Sequence, residues 1–194
     1  MKSLEGTQTA ENLMKAFAGE SQARMRYTYY ASQAKKDGYV QIQNIFLETA
    51  ENEKEHAKRF FKFLNESLEG QGVDIEANYP VGLSETKDNL RWAAEGENEE
   101  WTDLYPAFAD KADEEGFPQV AVVFREIAEA EERHERRFRK LLSNIEEGRV
   151  FSRDTEVEWK CNNCGYIAEG KSAPQVCPSC DHPQDHFELF VETY

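Results

Sequence analysis

The sequence predicts an α-helical fold class: a bundle of four helices, followed by a small metal-bound module. Three observations predict it: four long stretches have the apolar spacing of helices, the first two stretches are repeated in the last two, and all four cysteines lie within 161–180. Because 39% of the 194 residues are hydrophobic, the helical part can bury a core. We place the domain boundary after residue 150, so that the bundle takes 1–150 and the module takes 151–194.

The predicted helices are separated by glycines and by one long connection. The helices span 9–36, 39–69, 85–114 and 117–147, and glycines stand near their ends at Gly38, Gly70, Gly116 and Gly148. Pro118 opens the fourth helix, where a proline is tolerated. The segment 70–84 contains glycine and proline but no helical period, so we expect it to connect two helical hairpins.

The second hairpin repeats the first. At a shift of 78 residues, Glu53 corresponds to Glu131, His56 to His134, and Tyr27 to Tyr105. Earlier in the first helices the shift is 77, because Glu20 corresponds to Glu97. One extra residue therefore lies between Glu97 and Tyr105, and we expect a π-bulge there. Two similar hairpins packed about a pseudo-twofold axis make a four-helix bundle.

Carboxylates interrupt the apolar stripe of every predicted helix. The interrupting residues are Glu20 in the first helix, Glu53 and His56 in the second, Glu97 and Glu100 in the third, and Glu131 and His134 in the fourth. Buried carboxylates that face each other repel and take up protons unless cations lie between them. One Glu from each of two helices, with a Glu-x-x-His motif from each of the other two, is the ligand set of di-iron and di-manganese bundles. The sequence therefore predicts a dinuclear metal site.

Other acidic residues of these helices have a simpler interpretation. We interpret a set of five glutamates as solvated and paired with Arg or Lys: Glu51, Glu55, Glu129, Glu132 and Glu135. A single Glu-x-x-His motif means little in such helices, but two copies that each interrupt an apolar stripe are hard to produce by chance. Glu100 has Glu99 beside it, yet it lies one turn beyond Glu97 on the same face, and this direction favours a ligand.

The cysteines form two Cys-x-x-Cys pairs, Cys161 with Cys164 and Cys177 with Cys180. Four thiolates at this spacing suit a tetrahedral zinc or a single iron, and spacing alone does not separate the two metals. A structural zinc ribbon is therefore one reading of the module. We expect two histidines nearby to be surface or packing residues and not ligands, His182 and His186.

The charge balance excludes some partners. A formal net charge of -15 repels phosphate backbones and anionic membrane surfaces, so we expect neither nucleic acid nor membrane as a partner. Residues 1–13 lack the apolar stretch of a secretory signal, and no apolar run approaches the length of a membrane span. We expect a soluble cytoplasmic protein, in which paired cysteines indicate metal binding more than disulfides.

These motifs, in this order, resemble the rubrerythrin family over almost the whole chain. The resemblance implies a ferritin-like di-iron bundle followed by a rubredoxin-like domain, in which one iron is bound by the four cysteines. The Cys-Gly-Tyr and Cys-Pro-x-Cys sequences are similar to those of rubredoxin, and with Trp159, Tyr166 and Phe187 they favour iron, because an apolar shell tunes an electron-transfer centre.

The resemblance also implies roles for the bundle residues. Glu53 and Glu131 are expected to bridge the two irons, with Glu20 terminal on one iron, and Glu97 and His134 on the other. At the first iron, Glu100 is expected to bind in the oxidised state and His56 in the reduced state; a charged carboxylate suits Fe(III) and a neutral imidazole suits Fe(II). Tyr27 and Tyr105 resemble tyrosines that hydrogen-bond the ligand carboxylates in the family, and bundle packing is the alternative.

The implied activity is a peroxidase that reduces hydrogen peroxide to water in defence against oxidative stress. The rubredoxin-like iron is expected to relay electrons from a rubredoxin or an NAD(P)H-dependent reductase, within a head-to-tail homodimer. Two alternatives stay open: a ferritin-like protein that oxidises and stores iron, and a structural protein that holds zinc in both sites.

Overall fold

The computed structural model describes residues 3–193; residues 1, 2 and 194, which the predicted domain ranges include, lie outside it. The predicted four-helix bundle and cysteine module are confirmed. The bundle contains α1 (Gln8–Lys36), α2 (Val40–Leu68), α3 (Thr86–Glu99), a π-helical turn (Glu100–Leu104), α4 (Tyr105–Glu114) and α5 (Pro118–Glu146). The predicted third helix is thus one continuous rod of three segments. The boundary after residue 150 stays a prediction.

The two hairpins turn in the same way. After α1, Gly38 adopts a positive φ of 84°, and its N–H donates to the carbonyl of Lys35 while the N–H of Tyr39 donates to the carbonyl of Ala34. After α4, Gly116 has a φ of 81° and the same pair of bonds follows one repeat later. This left-handed cap is strained for a residue with a Cβ, which explains a glycine at both positions.

Each turn also caps the other hairpin. The carboxylate of Asp37 accepts hydrogen bonds from the N–H and hydroxyl of Thr86, at the start of α3, at 2.9 and 2.6 Å. The carboxylate of Glu115 accepts from the N–H and hydroxyl of Thr9, at the start of α1, at 2.8 and 2.6 Å. A negative charge at a helix N-terminus satisfies free N–H groups, so the exchange of caps ties the two hairpins together.

The expected irregularity of the third helix is confirmed. Residues Glu100–Leu104 form a π-helical turn, closed by a hydrogen bond from the N–H of Tyr105 to the carbonyl of Glu100. This wide turn takes up the extra residue, so that Tyr105 still faces inward as Tyr27 does in α1.

Two aromatic clusters fill the bundle on either side of its acidic residues. One contains Phe60 and Phe124 with ring centroids 4.9 Å apart, and the other contains their repeat partners Phe138 and Phe46 at 5.1 Å. Tyr105 belongs to the first cluster and Tyr27 to the second. These rings exclude water from the layer of acidic residues.

The connection between the hairpins has no regular secondary structure over 71–84 and lies along the bundle. The hydroxyl of Tyr79 donates to the carbonyl of Lys15 at 2.8 Å, and the hydroxyl of Tyr30 donates to the carbonyl of Gly82 at 3.0 Å. These bonds fix the connection against α1.

The C-terminal module is a three-stranded antiparallel sheet in the order β2-β1-β3, with strands β1 (Ser152–Cys161), β2 (Ile167–Ser172) and β3 (Phe187–Leu189). Its core consists of Trp159 and Phe187 packed against the buried cysteines. Phe151 stacks on Tyr39 at the start of α2, with ring centroids 6.3 Å apart. Within residues 3–193, no helix is long and apolar enough to span a bilayer.

Candidate metal centres

Four helical rods bring the acidic residues of the apolar stripes into one buried layer. Two groups have ligand atoms within 4.8 Å of one another: Glu20, Glu53, His56 and Glu131 in the first group, and Glu53, Glu97, Glu131 and His134 in the second. Glu53 and Glu131 belong to both groups. We refer to the two groups as the His56 half-site and the His134 half-site.

The distances repeat the pseudo-twofold symmetry of the sequence. Nδ1 of His56 lies 2.8 Å from Glu131 Oε1, 3.0 Å from Glu53 Oε2 and 3.9 Å from Glu20 Oε1. In the other half-site, Nδ1 of His134 lies 2.7 Å from Glu131 Oε2, 3.2 Å from Glu53 Oε1 and 4.0 Å from Glu97 Oε1. Each shared glutamate therefore turns one oxygen toward each half-site.

The electrostatics of the layer call for positive charge. Burial, with the charges of neighbouring carboxylates, raises the pKa of Glu20 and of Glu97 well above the ordinary value of a glutamate. Burial by itself lowers the pKa of a histidine, but the contacts with Glu131 and Glu53 raise the pKa of His56 to about 10 and that of His134 to about 9. The carboxylates therefore attract protons or cations into the space between them.

Several buried carboxylate and imidazole atoms of this layer have no well-directed hydrogen bond. They are Glu20 Oε2, Glu53 Oε1, both carboxylate oxygens of Glu131, and Nδ1 of His134. Buried polar atoms are rarely left in this way unless an ion or water belongs beside them. Oxygen and imidazole donors around two adjacent positions fit a pair of iron ions, so the residues present match a di-iron site.

Two tyrosines hold the outer carboxylates. The hydroxyl of Tyr105 donates to Glu20 Oε1 at 2.5 Å, and the hydroxyl of Tyr27 donates to Glu97 Oε1 at 2.6 Å. Because Oε1 of Glu20 is occupied, its partnerless Oε2 is the atom free for a metal. Both tyrosines are also packed in the aromatic clusters, so the two interpretations of Tyr27 and Tyr105 describe one arrangement.

Glu100 belongs to neither group of four, but it lies close enough that, besides burial, its charge raises the pKa of Glu20 and of Glu97. It is partly buried and lines a cavity of about 370 Å³, together with Gly19, Arg26 and Tyr79. Burial, with the charges of Glu131 and Glu53, raises the pKa of Glu100 to about 8. The cavity lies between α1, residues 76–80 of the connection and the π-helical turn. Which of the predicted residues bind metal stays a prediction.

One prediction about the outer glutamates is wrong in part: Glu135 pairs with an arginine, Arg139, as expected, but it is not solvated. Glu51 and Glu55 are exposed and pair with Lys54 and Lys58, as expected, but Glu135 is only 7% exposed. Its carboxylate accepts hydrogen bonds from Trp101 and Asn98 of the third rod and from Arg139 of its own helix. No signal in the sequence marks Glu135, because Asn98 and Trp101 are distant along the chain and contact it only in the folded bundle.

The four cysteines form the second centre. Cys161 and Cys180 have sulfurs 3.7 Å apart, as have Cys164 and Cys177, and no disulfide links them. Thiolates 2.3 Å from a common metal in a tetrahedron are separated by about 3.8 Å, so the spacing suits one metal ion. The four sulfurs thus have the arrangement of an iron–tetrathiolate centre.

The surroundings of this centre differ in part from expectation. Trp159 and Phe187 are fully buried beside the cysteines, but Tyr166 is 38% exposed and does not complete an apolar shell. His182 Nδ1 lies 3.0 Å from the carbonyl oxygen of Cys180, and His186 Nδ1 lies 2.7 Å from Asp185. Neither histidine belongs to the cysteine group.

Comparisons with known proteins agree with both centres. The family model described as rubrerythrin matches residues 11–158, and the model of the rubrerythrin rubredoxin-like domain matches residues 159–188. The rubrerythrin of Clostridium perfringens is 66% identical over 100% of both chains, and that of Nitratidesulfovibrio vulgaris is 55% identical over 97% of both. A solved structure of nigerythrin in a mixed-valence state is 32% identical, with a TM-score of 0.65, and covers 97% of this chain and 92% of its own.

Proposed function

We propose, because this chain belongs to the rubrerythrin family, that it is a non-haem di-iron peroxidase that reduces hydrogen peroxide to water. The observation that carries the proposal is the pair of half-sites that share Glu53 and Glu131, each completed by one histidine and one outer glutamate. Carboxylates that are shared in this way hold two metal ions side by side, so a two-electron reaction can occur at one place.

In this proposal the carboxylates and histidines are the ligands. Glu53 and Glu131 would be the ligands shared by both metals, because each turns one oxygen toward each half-site. Glu20 is the terminal ligand in the His56 half-site, and Glu97 and His134 are terminal in the other. His56 and Glu100 would be alternative ligands at the His56 half-site; His56 belongs to that group, and Glu100 lines the cavity.

The surrounding residues prepare the layer for peroxide. When bound, a ferrous pair supplies both electrons of the reduction, so that one peroxide and two protons give two water molecules. Tyr27 and Tyr105 keep Glu97 and Glu20 oriented through their hydroxyls. The carboxyl group of Glu100 borders the cavity and is placed to pass protons to the departing oxygens.

The cysteine module supplies electrons in this scheme. A rubredoxin-like domain implies electron transfer from a redox partner, and we propose a rubredoxin or an NAD(P)H-dependent reductase as the donor. We further propose a head-to-tail homodimer, acting in the cytoplasm, in which the tetrathiolate iron of one subunit serves the di-iron pair of the other. Mixing two inactive variants tests this: one lacks Cys161 and so has no tetrathiolate iron, and the other lacks Glu53 and so has no di-iron pair. Turnover returns in mixed dimers only if electrons cross from one subunit to the other.

A single-turnover experiment tests the peroxidase itself. Iron-loaded protein is reduced with dithionite without oxygen, freed of reductant and mixed with hydrogen peroxide, while iron absorbance and residual peroxide are followed. We expect rapid loss of about one peroxide per di-iron pair, without release of hydroxyl radical to a spin trap. Slow oxidation at the rate of free ferrous iron, or trapped radical, would contradict the proposal.

The bundle alone also suits a second function, ferritin-like iron oxidation and storage. The same half-sites can bind and oxidise ferrous ions, but in a storage protein the cysteine module has no evident part. Repeated additions of ferrous iron separate the two functions. A storage protein accumulates many ions per chain, whereas we expect binding to stop when the di-iron pair and the tetrathiolate are filled. Colourless, zinc-filled protein would instead indicate a structural role.

A further inference from the structure

The buried Glu135 has no place in the proposed ligand set, yet its carboxylate reaches the turn that carries Glu100. We propose that Glu135 is a positioning residue, which fixes the π-helical turn so that Glu100 faces the His56 half-site. This inference rests on the proposed function, since it concerns a ligand of the proposed di-iron pair.

The contacts of Glu135 lie on both sides of Glu100. Its Oε2 accepts hydrogen bonds from the side chain of Asn98, at 3.1 Å, and from the indole N–H of Trp101. Its Oε1 accepts from Nε of Arg139 at 2.5 Å, so both oxygens of the carboxylate are hydrogen-bonded. Because Asn98 precedes Glu100 by two residues and Trp101 follows it, one buried carboxylate on α5 holds a side chain on either side of Glu100.

The internal repeat shows that this arrangement accompanies Glu100. With the shift of 77 that relates Glu20 to Glu97, Ala23 corresponds to Glu100 and Arg24 to Trp101; with the shift of 78 that relates Glu53 to Glu131, Ala57 corresponds to Glu135. Arg24 there pairs with the exposed Glu51, at 2.9 Å. The hairpin without the extra carboxylate thus also lacks the π-helical turn, the tryptophan and the buried acceptor. Because the turn, the tryptophan and the buried acceptor occur together with Glu100, we interpret them as parts of one structural arrangement.

A physical reason connects the contacts to the direction of Glu100. A π-helical turn holds one residue too many and is rare in helices, so it persists only where the surroundings hold it in place. If the extra residue moved one position along the rod, the side chain of Glu100 would rotate by about 100° around the helix axis. The indole of Trp101, packed against the first aromatic cluster, and the carboxylate of Glu135 together oppose that movement.

The test is a double-mutant cycle read by the midpoint potential of the di-iron pair. Glu135→Ala introduces the alanine that the first hairpin has at Ala57, and Trp101→Phe keeps an aromatic ring but removes the N–H donor. Both substitutions are made in the natural chain and, separately, in a chain that carries Glu100→Gln. The matched control is Glu132→Ala, an exposed glutamate of the same helix. Potentials are measured with redox mediators and without peroxide, on full-length, iron-loaded protein.

We expect Glu135→Ala and Trp101→Phe to raise the midpoint potential, because a misplaced Glu100 stabilises the ferric state less. The ferrous-to-ferric ratio at the natural midpoint should rise about fivefold or more, the lower end of ordinary coupling between sites. In the Glu100→Gln chain the same changes should have almost no further effect, and Glu132→Ala should have none in either chain.

Equal shifts in both backgrounds would overturn the proposal, since Glu135 would then act through general electrostatics or packing. If Glu135→Ala does not fold, as judged by circular dichroism, Trp101→Phe decides the question. The potentials do not depend on turnover. If the substitutions couple strongly to Glu100→Gln but the protein does not consume peroxide, the peroxidase is rejected and the positioning role is kept. If the enzyme is active but the substitutions do not couple, the positioning role is rejected and the peroxidase is kept.

Discussion

Two glutamates of α2 that stand two residues apart have opposite environments. Glu53 is almost fully buried and contacts both histidines, whereas Glu51 is exposed and pairs with Arg24 and Lys54. Two residues correspond to about 200° around a helix, so one position faces the core and the other faces solvent. The spacing of the apolar stripe was enough to predict this difference.

Substitution of these two glutamates tests the assignment of the helix face. Glu53→Ala should abolish binding of a coupled metal pair, because a shared ligand is lost and the remaining ligands cannot hold two cations close together. Glu51→Ala should change metal content very little, since its carboxylate is exposed and contacts only Arg24 and Lys54 on the outside of the bundle. Iron stoichiometry and the visible spectrum measure both. Equal losses from the two variants would show that the wrong face was chosen.

Some residues of the site were beyond the reach of sequence reasoning. Glu20, Glu53, Glu97 and Glu131 follow from periodicity and the repeat, because buried acidic residues at core spacing need a reason. Glu135 does not, since it sits among other glutamates and arginines and its main partner Trp101 lies 34 residues away. The position of Glu100 beside the two groups, and not within either, likewise depends on the folded turn. The sequence shows only that Glu100 lies on the same helix face as Glu97.

At the scale of elements, the helix ends depend on contacts between the hairpins. The lengths of all four rods were predicted to within one or two residues, because glycines and periodicity mark them. The exchange of caps was not predicted, since the distance from Asp37 to Thr86 along the chain hides a contact made only in the bundle. Partial burial tends to raise the pKa of Asp37, but hydrogen bonds from Thr86 outweigh it and hold the pKa below the usual 3.8.

The lowered pKa predicts a stability that depends on pH. A carboxylate with a depressed pKa in the folded state contributes fully above its unfolded pKa and loses that contribution as the pH falls through the folded value. Asp37→Ala should therefore lower the free energy of unfolding by about 1 kcal/mol at neutral pH, as for other helix caps, and by less and less below pH 3.8. Denaturation at equal metal content, compared with the substitution Lys35→Ala at an exposed position of the same helix end, measures it. A difference that does not change with pH would contradict the capping role.

Two glycines predict opposite effects of one added methyl group. Gly19 lies inside α1, and a Cβ there would meet Tyr79 and Glu100 at 3.7 and 3.9 Å, an ordinary contact. Gly19→Ala should stabilise the helix by about 0.5–1 kcal/mol. Gly82 lies in the connection, and a Cβ there would come within 2.9 Å of the Trp92 ring, so Gly82→Ala should cost about 1–3 kcal/mol. Thermal midpoints at equal iron content should thus move apart, and a shift in the same direction would show that the connection packs differently.

For the whole molecule, two separate cores support two separate metal centres. The aromatic clusters of the bundle contain no residue of the module, and Trp159, Phe187 and the buried cysteines make a core of their own. The module is small, and domains of this size usually need a metal to fold. Its stability should therefore depend on iron far more than the stability of the bundle does.

Replacing one cysteine separates the two centres. Cys161→Ser or Cys177→Ser should remove the visible colour of the iron–tetrathiolate and unfold the module, while circular dichroism still shows the helices, because the bundle keeps its own core. Turnover driven by an external donor should fall to near zero, since the relay is gone. The di-iron pair, reduced chemically, should still consume peroxide once. Ser179→Ala, in the same knuckle but outside the group of four cysteines, should leave colour and turnover as they are. If donor-driven turnover survives the loss of Cys161, electrons reach the di-iron pair directly and the module is not the relay.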